Sequence, residues 1–330
     1  MTDVTIVLLN WNSRPLVFEA AASAVRQTGV TAELIIVDNG STDGSLEELK
    51  SRFPEARYLE IGFNSGFTGG MNAGTEAARG EFVLWQNADL VLADDFCARG
   101  VALMRAHTDV GVAGGMVYLL QDGERTSRLD ACGYTLSATH RTLLLPGSEE
   151  RDVVGVSGSC PLFRRAALQS MRRGVGYVLD PWYFTYWEDV DAMVRLNLAG
   201  WRARFMPAMQ AWHLRSGSTA PRSRFHQKPD ATQVHHFKNR LATIIKTLPA
   251  RVLRQRMAVL VLTEVFLPFY LLALRPRSVL NWAVGWRVVW KERRRLLADR
   301  AIIQQSATPA AVLRLSQLLG RLKPAPRGAS

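Results

Sequence analysis

With 330 residues, 48% of them apolar and 21% charged, and with no repeats or low-complexity tracts, the chain can fill a sizeable core, which excludes a disordered or fibrous protein. The formal charge of +12 would suggest a nucleic-acid binder if it were spread evenly, yet residues 1–250 balance 26 Lys/Arg against 26 Asp/Glu while residues 251–330 hold 15 against 3. A neutral domain therefore carries a basic tail, whose partner is a phosphate of lipid or nucleic acid.

Three distant cysteines, Cys97, Cys132 and Cys160, suggest neither a disulfide framework nor a zinc site, and fit a reducing compartment. The N-terminus runs from Met1-Thr2-Asp3 straight into Val4–Leu9, without a charged n-region or a small-residue cleavage site, so no secretory signal is expected and the main domain is expected to face the cytoplasm.

The first 120 residues alternate apolar runs with helical stretches: Val4–Leu9, a helix near Pro15–Gln27, Leu34–Val37, a helix near Ser45–Phe53, Tyr58–Ile61, a helix near Gly70–Ala78, and Phe82–Trp85. Strands that are apolar on every residue and separated by helices predict a doubly wound α/β domain with a parallel sheet covered on both faces. From about residue 120 to Val153–Val156 the pattern is irregular and reads as a mixed extension of the sheet. A helix is expected at Arg164–Met171, then the aromatic stretch Tyr177–Trp187, then a helix at Glu188–Ala199 with Val190, Met193, Val194 and Leu198 on one face and Gly200 as its stop.

In such sheets ligands bind beyond the carboxyl ends of the strands, and three strands here end in short polar residues: Asn10 and Asn12, then Asp38 to Asp43, then Asn87-Ala88-Asp89. Any one tip is adequately explained as turn chemistry, with Asp43 placed to cap the helix opening at Gly44-Ser45, but three tips on one rim are a candidate site. The run Gly62–Gly74 enters a helix after the third strand, and its glycines would allow backbone to approach a ligand; it matches neither a dinucleotide fingerprint nor a P-loop. Glu188, Asp189 and Asp191 open a helix beneath an aromatic wall. Acids favour first turns in any protein, but apolar surroundings raise a carboxylate's pKa while the helix terminus lowers it, as suits a base that takes a proton from a hydroxyl. His213 follows a predicted strand and would become a ligand only with carboxylates nearby.

Taken together, Asn10-Trp11-Asn12, Val37 to Asp43, Asn64 to Gly74, Asn87-Ala88-Asp89, Glu188 to Asp191 and His213 resemble family 2 glycosyltransferases of the GT-A fold, most closely the bacterial rhamnosyltransferase-like branch, over residues 4–250. That branch commonly writes its metal motif as Asn-x-Asp, usually with Pro between, so Ala88 is a small departure. The resemblance implies a nucleotide-sugar pocket of Asn10, Asn12, Asp38, Asn64, Gly69, Asn72 and Asn87, with Asp38 and Asn64 on the nucleoside. It implies a Mg2+ or Mn2+ held by Asp89 and His213. The catalytic base would be Asp189, with Glu188 as second choice, since the sequence does not say which carboxylate points inward. It also implies direct displacement with inversion, moving a deoxysugar such as L-rhamnose from a dTDP- or UDP-linked donor to a cell-surface glycan precursor.

The tail, residues 251–330, reads as a basic, amphipathic helical extension of the 1–250 catalytic domain. Met257–Leu274 is nearly all apolar, but Glu264 and Pro268 interrupt it, so it is expected to lie in a membrane interface or to fold as a hairpin. Trp282, Trp286 and Trp290 recur at i, i+4, i+8 beside Arg287, Lys291 and Arg293-Arg294-Arg295, a pattern of helices that lie on anionic membranes. The tail lacks a nucleic-acid-binding motif, so the expected partner is the inner face of the plasma membrane and the acceptor a lipid-linked glycan. The competing reading is a catalytically silent nucleotide-sugar-binding or membrane scaffold protein. Nucleotidyl transfer is disfavoured because residues 10–16 form no basic Gly-rich loop.

Overall fold

The computed structural model describes residues 2–121, 123–214 and 225–321. The apolar run VTIVLLN forms β1 (Val4–Asn10), buried at every residue but Leu9. After it come α1 (Leu16–Val25), β2 (Ala32–Asp38), α2 (Ser45–Arg52), β3 (Arg57–Glu60), α3 (Gly66–Ala77) and β4 (Phe82–Asn87). These four strands are parallel in the order β3-β2-β1-β4, so the chain winds outward from β1 and then returns to lay β4 on the other side of β1. The reversal opens a crevice at the carboxyl ends of β1 and β4.

The strands lack alternation because both faces are covered. Val4, Ile6, Leu8, Leu34 and Ile36 pack under α1 and α2, while Val7, Ile35, Val37 and Trp85 pack under α3. Strand β3 is the exception, a half-buried edge. Helix α3 begins at Gly66, four residues before the expected start, so most of the glycine run lies inside it. A Cβ on Gly70 would stand 2.2 Å from Leu9, and one on Gly74 2.2 Å from Val7. These two glycines let the helix lie close on β1 and β2 and are not places where backbone approaches a ligand, which corrects the sequence reading.

The expected mixed extension is present. It comprises β5 (Leu90–Leu92), α4 (Phe96–Ala106), β6 (Val110–Gln121), β7 (Glu124–Ala131), β8 (Tyr134–Leu136), β9 (Thr142–Leu144), β10 (Arg151–Val153), β11 (Leu162–Arg164), α5 (Arg165–Val175), α6 (Glu188–Leu198) and β12 (Arg202–His213). Strand β11 inserts antiparallel between β4 and β6, β12 runs parallel to β6, and β10 closes that edge, while β5 and β7 pair antiparallel with β12 and β6. Strands β8 and β9 form a separate small sheet.

Four helices follow: α7 (Asp230–Thr247), α8 (Ala250–Leu274), α9 (Arg277–Ser306) and α10 (Pro309–Arg321). Helix α8 continues through Pro268, so no hairpin forms within Met257–Leu274; the chain reverses at Arg275 and Pro276 instead. Helix α9 then runs back along α7, close enough that a Cβ on Gly285 would be 2.9 Å from that of Phe237. Helix α10 reaches the α/β domain, where Thr135 Oγ1 donates to the Leu318 carbonyl at 2.8 Å.

Candidate active site

The register of β1 with its neighbours sets Asn10 opposite Asp38 and Leu9 opposite Asn87, so the polar tips share one rim. Asn10 is fully buried. Its Nδ2 donates to Asp38 Oδ1 (2.8 Å), Ser45 Oγ (2.9 Å) and Ser41 Oγ (3.1 Å). Asp38 Oδ2 in turn accepts the N–H groups of Gly40 (3.1 Å) and Ser41 (2.9 Å). Asn12 accepts the Thr42 N–H at 2.8 Å, and Asp43 accepts the Ser45 N–H at 3.1 Å at the start of α2.

Asn64 Oδ1 takes the Gly66 N–H (2.9 Å) and an N–H of Asn39 (3.3 Å). Asn39, buried and absent from the sequence candidates, also accepts from the N–H and hydroxyl of Ser65 and donates to the Gly66 carbonyl at 3.0 Å. It ties the β2 tip to the loop before α3. Two predicted residues stand apart from this rim. Gly69 lies within α3 against Ser65, and Asn72 has both ends of its amide engaged by the backbone of Leu179 (2.7 and 2.9 Å), making it a strut between α3 and the aromatic segment.

Beyond β4, Asn87 donates its N–H to the Ser159 carbonyl at 3.0 Å. The pairing of β5 with the end of β12 brings Leu90 opposite His213, and so brings Asp89 to the imidazole: Asp89 Oδ1 is 3.1 Å from Nε2. The other ring nitrogen lies 2.8 Å from Asp130 Oδ2 on β7, a residue the sequence reading did not single out. Burial disfavours the charged imidazole, but hydrogen bonds to Asp130 and Asp89 outweigh it and push the pKa up to about 9.

Among the described residues, no group of three or more His, Cys, Asp or Glu side chains is arranged to hold a metal ion, so there is no closed protein cage. The donors present nonetheless fit a hard divalent cation. A carboxylate oxygen and an imidazole nitrogen 3.1 Å apart match the separation of about 3 Å between adjacent ligands on one six-coordinate ion, which would bind Nε2 by displacing its proton. Asp130 on the far ring nitrogen is the orienting partner that metal-bound histidines ordinarily have. Nearby, the buried Oδ1 atoms of Asn10 and Asn87 have no hydrogen-bond partner among the described residues.

The acidic segment is held in an unusual backbone. Phe184 (φ 66°), Tyr186 (φ 68°) and Trp187 (φ 72°) all lie in the left-handed region, which is costly for aromatic residues. Asn239 of α7, fully buried, offsets this by donating from Nδ2 to the carbonyls of Tyr183 (3.0 Å), Thr185 (2.9 Å) and Tyr186 (2.6 Å). Its neighbour Lys238 donates to the Trp182 carbonyl at 2.6 Å and sits 3.8 Å above that indole. Neither residue was among the sequence candidates, because an Asn and a Lys inside a long helix carry no local signal.

At the end of this loop Glu188 and Asp189 open α6. Asp189 Oδ1 accepts the Val190 N–H at 2.8 Å, and Oδ2 lies over Gly158, where a Cβ would come within 2.4 Å of it. The next residue, Ser159, accepts from Asn87, so Asp189 and the β4 tip meet across two adjacent residues. Glu188 is buried with Oε2 unpartnered among the described residues. Burial, then the charge of Asp189, raises the Glu188 carboxyl to about 8, and burial raises Asp189 as well. Asp191 behaves differently: it pairs with Arg195 (2.7 Å) and the fully buried Lys246 (3.0 Å), which also holds Asp180 at 2.9 Å. Asp191 belongs to an ionic core behind the site.

The hydrogen-bonded rim at β1 and β2, the Asp89–His213 pair, and Asp189, which meets the β4 tip through Gly158 and Ser159, thus lie at the carboxyl ends of the strands. Solved structures of this fold include TarS residues 1–349 of S. aureus in complex with UDP, with TM-score 0.57 and 16% identity, covering 96% of this chain and 91% of that one. GalNAc-T7 with UDP, GalNAc and Mn2+ is similar at TM-score 0.59 and 13% identity, over 76% of this chain and 49% of that one. At these identities the likeness concerns the fold alone: the sheet and its flanking helices have the GT-A fold.

The sequence profile of glycosyl transferase family 2 matches residues 5–172, and the chain belongs to that family. It is 29% identical over 255 residues to the N-acetylglucosaminyl-diphospho-decaprenol L-rhamnosyltransferase of Mycobacterium tuberculosis (strain H37Rv), covering 66% of this chain and 78% of that protein, and lies in the rhamnosyltransferase-like branch.

Proposed function

We propose that this glycosyltransferase moves a deoxysugar, L-rhamnose or a close relative, from a dTDP- or UDP-linked donor to a lipid-linked precursor of a cell-surface glycan, with inversion at the anomeric carbon. The observation that carries the reading is the meeting of Asp189 with the β4 tip through Gly158 and Ser159. In this reading Asp189 is the single base, beside the crevice where donor chemistry is expected. The rim residues Asn10, Asn12, Asp38 and Asn64 would orient the nucleoside.

With one oxygen of Asp189 engaged by Val190, Oδ2 is the atom available for the proton of the acceptor hydroxyl. As the acceptor oxygen bonds to the anomeric carbon, the bond from that carbon to the diphosphate breaks and the nucleoside diphosphate departs from the opposite face. Burial raises both carboxyls, that of Glu188 to about 8, so the two would share a proton near neutral pH, and Asp189 is assigned as the base on geometry, by its Oδ2 over Gly158 beside the β4 tip. Asp89 and Nε2 of His213 would hold a Mg2+ or Mn2+, which supplies charge neutralisation on the leaving diphosphate.

The lipid-linked acceptor is supported by the name of the mycobacterial relative and by the basic tail. In this reading residues 1–250 catalyse, and residues 251–330 keep the enzyme on the inner face of the plasma membrane. The test is turnover of a panel of dTDP-, UDP- and GDP-sugars with a membrane extract as acceptor, in Mg2+, Mn2+ or EDTA. Metal-dependent release of one nucleotide, lost in Asp189→Asn and in Asp89→Ala, is expected. Nucleotide binding without turnover of any donor would favour a silent scaffold.

A further inference from the structure

Among the described residues α8 is the one helix long and apolar enough to cross a membrane, and only 11% of its most apolar window is buried. Its outward side carries Val261, Leu262, Val265, Phe266, Phe269 and Tyr270, the last three being 62%, 67% and 64% exposed. Exposed aromatic and aliphatic side chains packed this closely mark a surface that something covers. The inward side is different. Leu260 and Leu271 are buried against the protein, and between them Glu264 turns inward. Its carboxylate pairs with Arg240 of α7 and accepts the indole N–H groups of Trp282 and Trp286, each at 3.0 Å. Arg240 also donates to the Thr139 carbonyl at 2.6 Å, so the contact reaches the catalytic domain.

A helix crossing a bilayer alone is surrounded by lipid, and this one would then carry an ionised carboxylate in mid-span, away from Arg240. We infer that α8, with the adjoining part of α9, is an in-plane anchor that lies in one leaflet of an anionic bilayer and does not cross it. The outward residues of α8 enter the acyl boundary while the Glu264 side stays on the protein. This deepens the membrane-facing reading above and is independent of which residue is the catalytic base.

Charge selects the occupant. Arg251 and Arg254 are exposed at the start of α8, and Arg287, Lys291 and Arg294 are exposed on α9. The acids of the same region are each paired, Glu264 with Arg240 and both Glu292 and Asp299 with Arg295. Such a face attracts lipid phosphates and would repel a second copy of itself. Of the three tryptophans of the expected stripe, Trp282 and Trp286 donate to Glu264, Trp286 staying 37% exposed, and Trp290 stands 65% exposed.

The test uses the full chain and vesicles of phosphatidylethanolamine with phosphatidylglycerol. The wild type should sediment with them, and the double variant Phe266→Glu/Phe269→Glu should lose binding by about tenfold or more while its donor turnover in detergent is unchanged. Because Cys97, Cys132 and Cys160 are buried, single cysteines introduced as Arg254→Cys and Arg277→Cys report the two ends of α8 to an impermeant maleimide. Labelling of both from outside intact vesicles is expected. Protection of one end until detergent is added would mean a span and overturn the proposal. Unchanged sedimentation of the double variant would overturn it too, as would a lipid-free dimer that the variant dissociates. Loss of donor turnover in the wild type would count against the transferase reading alone.

Discussion

Replacing Asn239 by alanine should impair catalysis through the loop that carries the acid pair, although Asn239 itself touches no reacting atom. Two N–H groups of its side chain serve the carbonyls of Tyr183, Thr185 and Tyr186, and the residue is fully buried. At about 1–2 kcal/mol for each of the two buried donors lost, the loss is about 2–4 kcal/mol. The loop has a use for that energy, since Phe184, Tyr186 and Trp187 hold positive φ angles that relax once the clamp is gone. Glu188 and Asp189 follow directly on Trp187. If the whole loss appears in the transition state, kcat falls about 30-fold to 1000-fold.

The assay is steady-state donor turnover, with Tm measured in parallel. A large fall in kcat with little change in donor KM is expected. Asn239→Asp, which keeps the shape but loses the donors, should resemble the alanine variant and separate hydrogen bonding from cavity formation. Activity of Asn239→Ala within about twofold of wild type would refute the reasoning, because a loop that stays in place without its donors is not held by them.

Gly158→Ala places a Cβ 2.4 Å from Asp189 Oδ2 and 2.8 Å from Asp189 Cβ, so it should lower kcat while leaving Tm close to wild type; unaltered turnover would place the base elsewhere. Lys246→Met leaves Asp180 and Asp191 buried with a cation missing, and should cost about 3–5 kcal/mol in urea unfolding. The raised Glu188 carboxyl means that the native state holds a proton the unfolded chain releases above its ordinary pKa of 4.5. The stability this contributes is present below pH 4.5 and is lost as pH rises through about 8. Urea unfolding across that window should show the decline in wild type and a flatter profile in Glu188→Gln.

The sequence by itself determined the winding and the rim. Continuous apolar strands separated by helices permit little besides a covered parallel sheet, and polar residues that end such strands gather at its carboxyl edge, so Asn10, Asp38, Asn87 and Asp89 were legible from local pattern, whereas Asn64 was singled out only by the family resemblance. His213 was legible only in company with those carboxylates. Tertiary structure decided the rest, because it turns on which side of an element a group faces. Glu188, Asp189 and Asp191 are equivalent as a first helical turn, yet Lys246, more than fifty residues away, draws Asp191 into the core, while Asp189 meets the β4 tip through Gly158 and Ser159. Asp130 meets His213 only through the pairing of β7 and β12 with β6, and Asn239 reaches the loop from another helix. Gly70 and Gly74 look alike as ligand-approach glycines until the packing of α3 on β1 gives them a steric reason. Glu264, which interrupts an apolar run in the sequence, turned inward because an arginine of α7 and two indole N–H groups of α9 lay there to receive it, and a charge buried without such partners would have been too costly.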